Sequence, residues 1–174
     1  AAIVDEEKTL PNDEEVFVRI DSARQHLQEK GYSRMVFLGH GTGAAYGLKY
    51  VVRRGITGSA LVLIEPITPA PLSDFDLAQF VEAVRLPTLD YYFASSSSKQ
   101  AFAQYRQAAA NKRGATNNAY VQFKASPDRR YDPAGNKRLT QRVWGFLKQN
   151  TNQMQQTRPL PLIDKGLFHK NLNK

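Results

Sequence analysis

Apolar residues along this chain alternate between two periods. From Asn12, the residues Val16, Phe17, Ile20, Ala23 and Leu27 recur at helical steps until Gly31, which predicts an amphipathic helix with an Asn/Asp start and a glycine stop. Met35-Val36-Phe37-Leu38 is instead a continuous apolar run, the pattern of a strand covered on both faces of a parallel sheet. A tight glycine-rich turn follows. Helical spacing then returns through Ala44, Ala45, Leu48, Val51 and Val52, closed by Arg53-Arg54-Gly55, where cations suit the helix dipole.

The alternation continues. Ala60-Leu61-Val62-Leu63-Ile64 reads as a second buried strand, and the prolines between Glu65 and Pro71 forbid regular structure there. A helix starting at Ser73 or Asp74 places Leu77, Phe80, Val81 and Val84 on one face, and Pro87 ends it before a third strand from Thr88 to Phe93. After the serine run comes a helix with Ala101, Phe102, Tyr105, Ala108 and Ala109 on one side, a break at Gly114, and a fourth strand at Ala119-Tyr120-Val121-Gln122-Phe123. The last helix is expected over 137–149 with Val143, Trp144 and Leu147 facing inward. Four strands separated by helices of this length require parallel pairing through right-handed crossovers. The expected fold is therefore α/β, a three-layer sandwich on a parallel sheet of about four strands in sequential order. Its domain occupies residues 12–150, between an N-terminal extension of residues 1–11 and a polar, Pro-containing tail at 151–174 that favours extended conformations.

Composition narrows the class. The 174 residues include no Cys, which excludes a disulfide framework, a zinc ribbon and a thiol nucleophile, while 41% hydrophobic content is enough for a core. No apolar run reaches the roughly 18 residues a membrane helix needs, and residues 1–5 lack the marks of a signal peptide. The net charge of +8 is uneven: residues 1–97 balance to −4 and residues 98–174 to +12. Such a basic half could attract nucleic acid, anionic lipid or an anionic envelope polymer, or be a solvated surface. It has no dense Lys/Arg block interleaved with aromatics of the kind a single-strand groove requires.

Sites in such a fold gather on the loops after the strands. The informative loop is Leu38-Gly39-His40-Gly41-Thr42-Gly43-Ala44, which has the small-residue spacing of the G-x-S-x-G nucleophile elbow. Its central residue must be strained, and the residues two before and two after it are expected to be small so that strand and helix can approach. A phosphate-binding loop is the rival, weakened by the absence of G-x-G-x-x-G and of Gly-Lys-Ser/Thr. Together with "ALVLIEP" at 60–66, "LPTLDY" at 86–91, the 106–113 helix and "RVWGFL" at 142–147, this turn makes the chain resemble the C-terminal half of an α/β-hydrolase fold. More narrowly, it is similar to a bacterial α/β-hydrolase-like family of uncharacterised function, usually made with a secretion signal.

The resemblance implies a nucleophile, an acid and a histidine at set places, and a preceding half-domain that is absent from this sequence. The nucleophile place holds Gly41; the stretch after the third strand, Ala94 with Ser95, Ser96, Ser97 and Ser98, has no carboxylate; the stretch after the fourth, Lys124-Ala125-Ser126-Pro127-Asp128, has no His. Asp90 falls too early, within the strand. Three absences together favour a non-hydrolytic protein acting in binding or assembly, with the periplasm or cell envelope implied by the resemblance. The alternatives are a hydrolase with a displaced nucleophile such as Thr42, one completed by another chain, and a nucleic-acid-binding module.

What remains is an anion-binding candidate at Gly39, His40, Gly41, Thr42 and Gly43, whose backbone N–H groups open a helix. Glu65, the four serines, and Asp128, Arg129 and Arg130 are candidate pocket loops, the arginines a second anion site. Thr42 is expected to cap its helix, the serines to cap the next one, and Asp132-Pro133 to form a turn. No cofactor motif or metal-ligand cluster is found. With no earlier strand beside it, Met35 to Leu38 should form an apolar edge, to be covered by a second chain carrying the N-terminal half, by a homodimer partner or by residues 1–11.

Overall fold

The computed structural model of the chain describes residues 12–58, 60–113 and 119–151. The expected extension at 1–11, the break at Gly114 and the tail from 152 onward lie outside the described residues. The elements run α1 (Asp13–Glu29), β1 (Val36–His40), α2 (Thr42–Arg53), β2 (Ala60–Ile64), α3 (Asp74–Ala83), β3 (Thr88–Phe93), α4 (Ser97–Asn111), β4 (Tyr120–Ala125), a 3-10 turn (Pro127–Arg129) and α5 (Pro133–Asn150). All strand pairs are parallel, in the order β1-β2-β3-β4. The fold is thus the α/β three-layer sandwich that the alternation predicts.

Sequential order has a steric consequence. Right-handed crossovers between consecutive neighbours return every connecting helix to the same face of the sheet. On that face Phe17 of α1, Leu48 and Tyr50 of α2, Leu77 and Val81 of α3 and Phe102 of α4 pack with Leu61 and Leu63 of β2. The alternate residues of the strands, Val62, Ile64, Leu89, Tyr91, Phe93 and Ala125, meet Phe146 of α5 on the opposite face, with Leu139, Val143 and Leu147 packed against them. Every residue of β2 is buried, and each fully buried Leu or Val there contributes about 1.5–3 kcal/mol of transfer free energy.

Three expectations change. β1 is half-exposed rather than sealed, with Leu38 at 57% exposure, because it ends the strand order and has a described neighbour on one side only. Trp144 points outward at 60% exposure, since the inward stripe of α5 runs through Leu139, Val143, Phe146 and Leu147. Asp132-Pro133 is a helix start and not a turn: the Asp132 side chain accepts from the Gly135 N–H and Pro133 takes the first helical position. Gly135 is obligatory there, because a Cβ would lie 1.8 Å from the Arg129 carbonyl oxygen.

Candidate functional site

The turn after β1 keeps a strained backbone at its apex. Gly41 has φ 59° and ψ −128°, a combination that costs an L side chain free energy and that glycine adopts without penalty. Its N–H donates to the Ile64 carbonyl at 3.0 Å and its carbonyl accepts from Ile67 N–H at 3.0 Å, which ties the turn to the end of β2. Gly39 must be glycine, since a Cβ would meet Ala44 Cα and the Gly43 carbonyl oxygen at 2.5 Å. Gly43 is under no such constraint, with open space where a Cβ would be, so only one of the two flanking glycines has the expected steric role. Thr42 does not cap α2 either: the N-cap is Gly41, with no side-chain bond. At the next loop but one, the Ser96 side chain accepts from Lys99 N–H and caps α4.

Above this turn four side chains from three segments of the chain converge on one carboxylate. Glu65, 3% exposed at the end of β2, accepts from Lys99 Nζ at 2.6 Å through Oε1, and from an Arg130 guanidinium nitrogen and the Tyr131 hydroxyl, each at 2.7 Å, through Oε2. His40 Nε2 lies 2.5 Å from the Tyr131 hydroxyl oxygen and 4.0 Å from Glu65. The direction of the chain follows from charge. Lys99, Tyr131 and Arg130 outweigh burial and hold the Glu65 carboxyl below its ordinary range, so Glu65 accepts and Tyr131 donates. Burial and the adjoining carboxylate push the Tyr131 phenol up, keeping it protonated. The Tyr131 oxygen is then left to accept from His40 Nε2–H, and Nδ1 of the same ring has no partner among the described residues.

Backbone strain marks the same place. Glu65 (φ 47°) and Tyr131 (φ 62°) are the two non-glycine residues with positive φ among the described residues, and their side chains are bonded to each other. Such conformations cost roughly 1–3 kcal/mol each and persist where surrounding structure enforces them. Lys99, in the first turn of α4, opposes the helix dipole and is compensated by Glu65.

Of the residues singled out in the sequence, the structure brings together His40, Glu65 and Arg130 beside the Gly39–Gly43 turn. Arg129 instead reaches Asp132 at 3.8 Å, Asp128 sits in the exposed 3-10 turn, and Ser95, Ser97 and Ser98 flank the α4 cap. Lys99 and Tyr131 went unread, although Lys99 opens α4 just after β3 and Tyr131 lies on the loop after β4, both at the carboxyl ends of strands where sites are expected. Among the described residues no group of His, Asp and Glu is placed to hold a metal ion, and no helix is long and apolar enough to cross a membrane.

Fold and site together define a parallel α/β protein with a polar cluster at the carboxyl ends of its strands. The chain belongs to the DUF3530 family, described as a protein of unknown function, whose family model matches residues 2–149. No curated protein and no solved structure matches it.

Proposed function

We propose that this protein is a catalytically degenerate α/β-hydrolase-like molecule that binds an anionic partner at the carboxyl ends of its strands, in the bacterial cell envelope. One observation carries this reading: the apex of the turn has the backbone strain of a nucleophile elbow but holds Gly41, and the neighbouring imidazole is bonded to a phenol and not to an attacking hydroxyl. Nucleophilic acyl transfer needs hydroxyl, imidazole and carboxylate in that order. Here a hydroxyl, an imidazole and a carboxylate do line up, but the hydroxyl is in the middle, protonated and donating to Glu65.

The charge balance supports an anion. Lys99, Arg130 and, when protonated, His40 surround a single carboxylate, and the side chains of Lys99 and Arg130 are 37% and 40% exposed. The β1 edge with Leu38 is the surface on which this reading places assembly, through a complementary chain or a second copy.

A panel of short- and long-chain esters offered to the full chain tests the reading. Turnover is expected to stay at the blank rate; turnover that His40→Ala removes would overturn it. The second reading, a hydrolase with a displaced nucleophile or one supplied by another chain, draws support from the His40 ring, which is backed through Tyr131 by a buried carboxylate and whose Nδ1 has no partner among the described residues, and the same panel in the presence of that chain would reveal it.

A further inference from the structure

A concave site lies on the α5 face of the sheet. It is a cavity of about 110 Å³ whose floor is Tyr91, Phe93, Phe123 and Ala125, and whose rim includes Lys124, Ser126, Arg129 and Arg138. Tyr91 and Phe93 are 2% and 3% exposed, while Lys124, Arg129 and Arg138 are exposed. The walls are aromatic: Tyr91 stacks on Phe123 with ring centroids 5.3 Å apart and meets Phe93 edge-on at 5.6 Å. Tyr91 lines this space, and its hydroxyl has no hydrogen-bond partner among the described residues, which leaves a donor for a ligand.

The surrounding charge has one sign. Arg138 and Arg142, one turn apart on α5, both act electrostatically on the Tyr91 phenol, and Arg142 lies over the Phe123 ring at 4.4 Å. Neither arginine has a carboxylate partner among the described residues, and Arg129 shares Asp132 only at 3.8 Å. A cationic ligand would be repelled. A phosphate would find one hydroxyl and mostly apolar walls where it needs several donors. The volume is below the roughly 150 Å³ that admits benzene in an apolar cavity, so the apolar part of the ligand must be small.

We propose that this cavity binds a short-chain monocarboxylate, with the carboxylate accepting from the Tyr91 hydroxyl beside Arg138 and the alkyl chain against Phe93 and Phe123. The site is separate from the His40–Tyr131–Glu65 cluster, although Phe93 also touches the Tyr131 ring at 5.8 Å, and the proposal does not depend on how that cluster functions.

The test is titration of the full chain at low salt with butyrate, butylammonium and butanol, followed by amide chemical shifts. Butyrate should saturate with shifts centred on Tyr91, Ala125 and Arg138, and butylammonium should not bind. Tyr91→Phe and Arg138→Gln, checked for unchanged thermal unfolding, should each weaken butyrate by about tenfold, the worth of one charged hydrogen bond. His40→Ala should leave binding unchanged. Absence of saturation by butyrate, equal binding of butylammonium, or full affinity in Tyr91→Phe would overturn the proposal. Loss of binding in His40→Ala would overturn it too, by placing the ligand at the strand-end cluster.

Discussion

Asp90 and Glu65 each grip an arginine and a tyrosine, and the two networks differ in their access to solvent. Asp90, in the middle of β3 and fully buried, accepts from Arg106 Nε at 2.8 Å and from a terminal guanidinium nitrogen at 3.1 Å, from the Tyr120 hydroxyl at 2.6 Å and from Gln122 at 2.9 Å. Arg106 is 1% exposed, lies 4.2 Å from the Phe102 ring centroid, and has one nitrogen, Nη1, without a hydrogen-bond partner among the described residues. Glu65 has a similar set of partners, but its cations reach into solvent and its backbone is strained. The Asp90 network pins α4 to β3 and β4, with its carboxylate and its guanidinium both buried. The Glu65 network holds charge and strain at the mouth of the strands, where a ligand can reach it. The same side chains thus build structure in one place and a site in the other, and solvent access with strain separates the two.

The largest break in this comparison should come from Asp90→Ala, which strands a buried guanidinium and should cost about 3–5 kcal/mol in urea unfolding. An equal loss in Glu65→Ala would erase the distinction. Next, Tyr120→Phe removes a buried hydrogen bond to a charged group and should cost about 1.5–3 kcal/mol, whereas Tyr131→Phe, in an exposed loop, should cost about 0.5 kcal/mol and shift the His40 ring resonances. Gly41→Ser fits sterically, since a Cβ there meets Ile67 Cδ1 at an ordinary 3.6 Å. It should fold with a loss of about 1–2 kcal/mol from positive φ and gain no esterase activity.

The smallest effect is a pH dependence. The Glu65 carboxyl is held low in the folded protein, so in acid the unfolded chain binds more protons. Its contribution is therefore complete above the unfolded carboxyl value of about 4.3 and is lost as pH falls through the lower folded value. Glu65→Gln should cost about 1 kcal/mol at neutral pH and flatten the acid limb of stability against pH. Asp21 and Asp76 are held low as well, so the measured quantity is the difference between wild type and variant.

Local pattern made the framework readable. Apolar runs, proline and glycine stops and helix lengths led to parallel strands in sequential order, and the Gly39–Gly43 turn was visible as a strained junction. The start of α5 was also written locally, in Asp132 followed by Pro133, but the nearby glycine and charges read as a turn. The cluster itself was not legible as a unit. Tyr131 is 66 residues from Glu65 and 91 from His40, and its role depends on a positive φ that no residue type announces. Exposure at Leu38 and Trp144 followed from sheet position and helix rotation, which periodicity alone sets only loosely.

The central claim, that the strand-end cluster binds and does not perform acyl transfer, is tested most directly by exposing the full chain to a fluorophosphonate and recording its intact mass. The account predicts an unchanged mass. A single adduct on Thr42 or on a serine of the site, lost in His40→Ala, would contradict it.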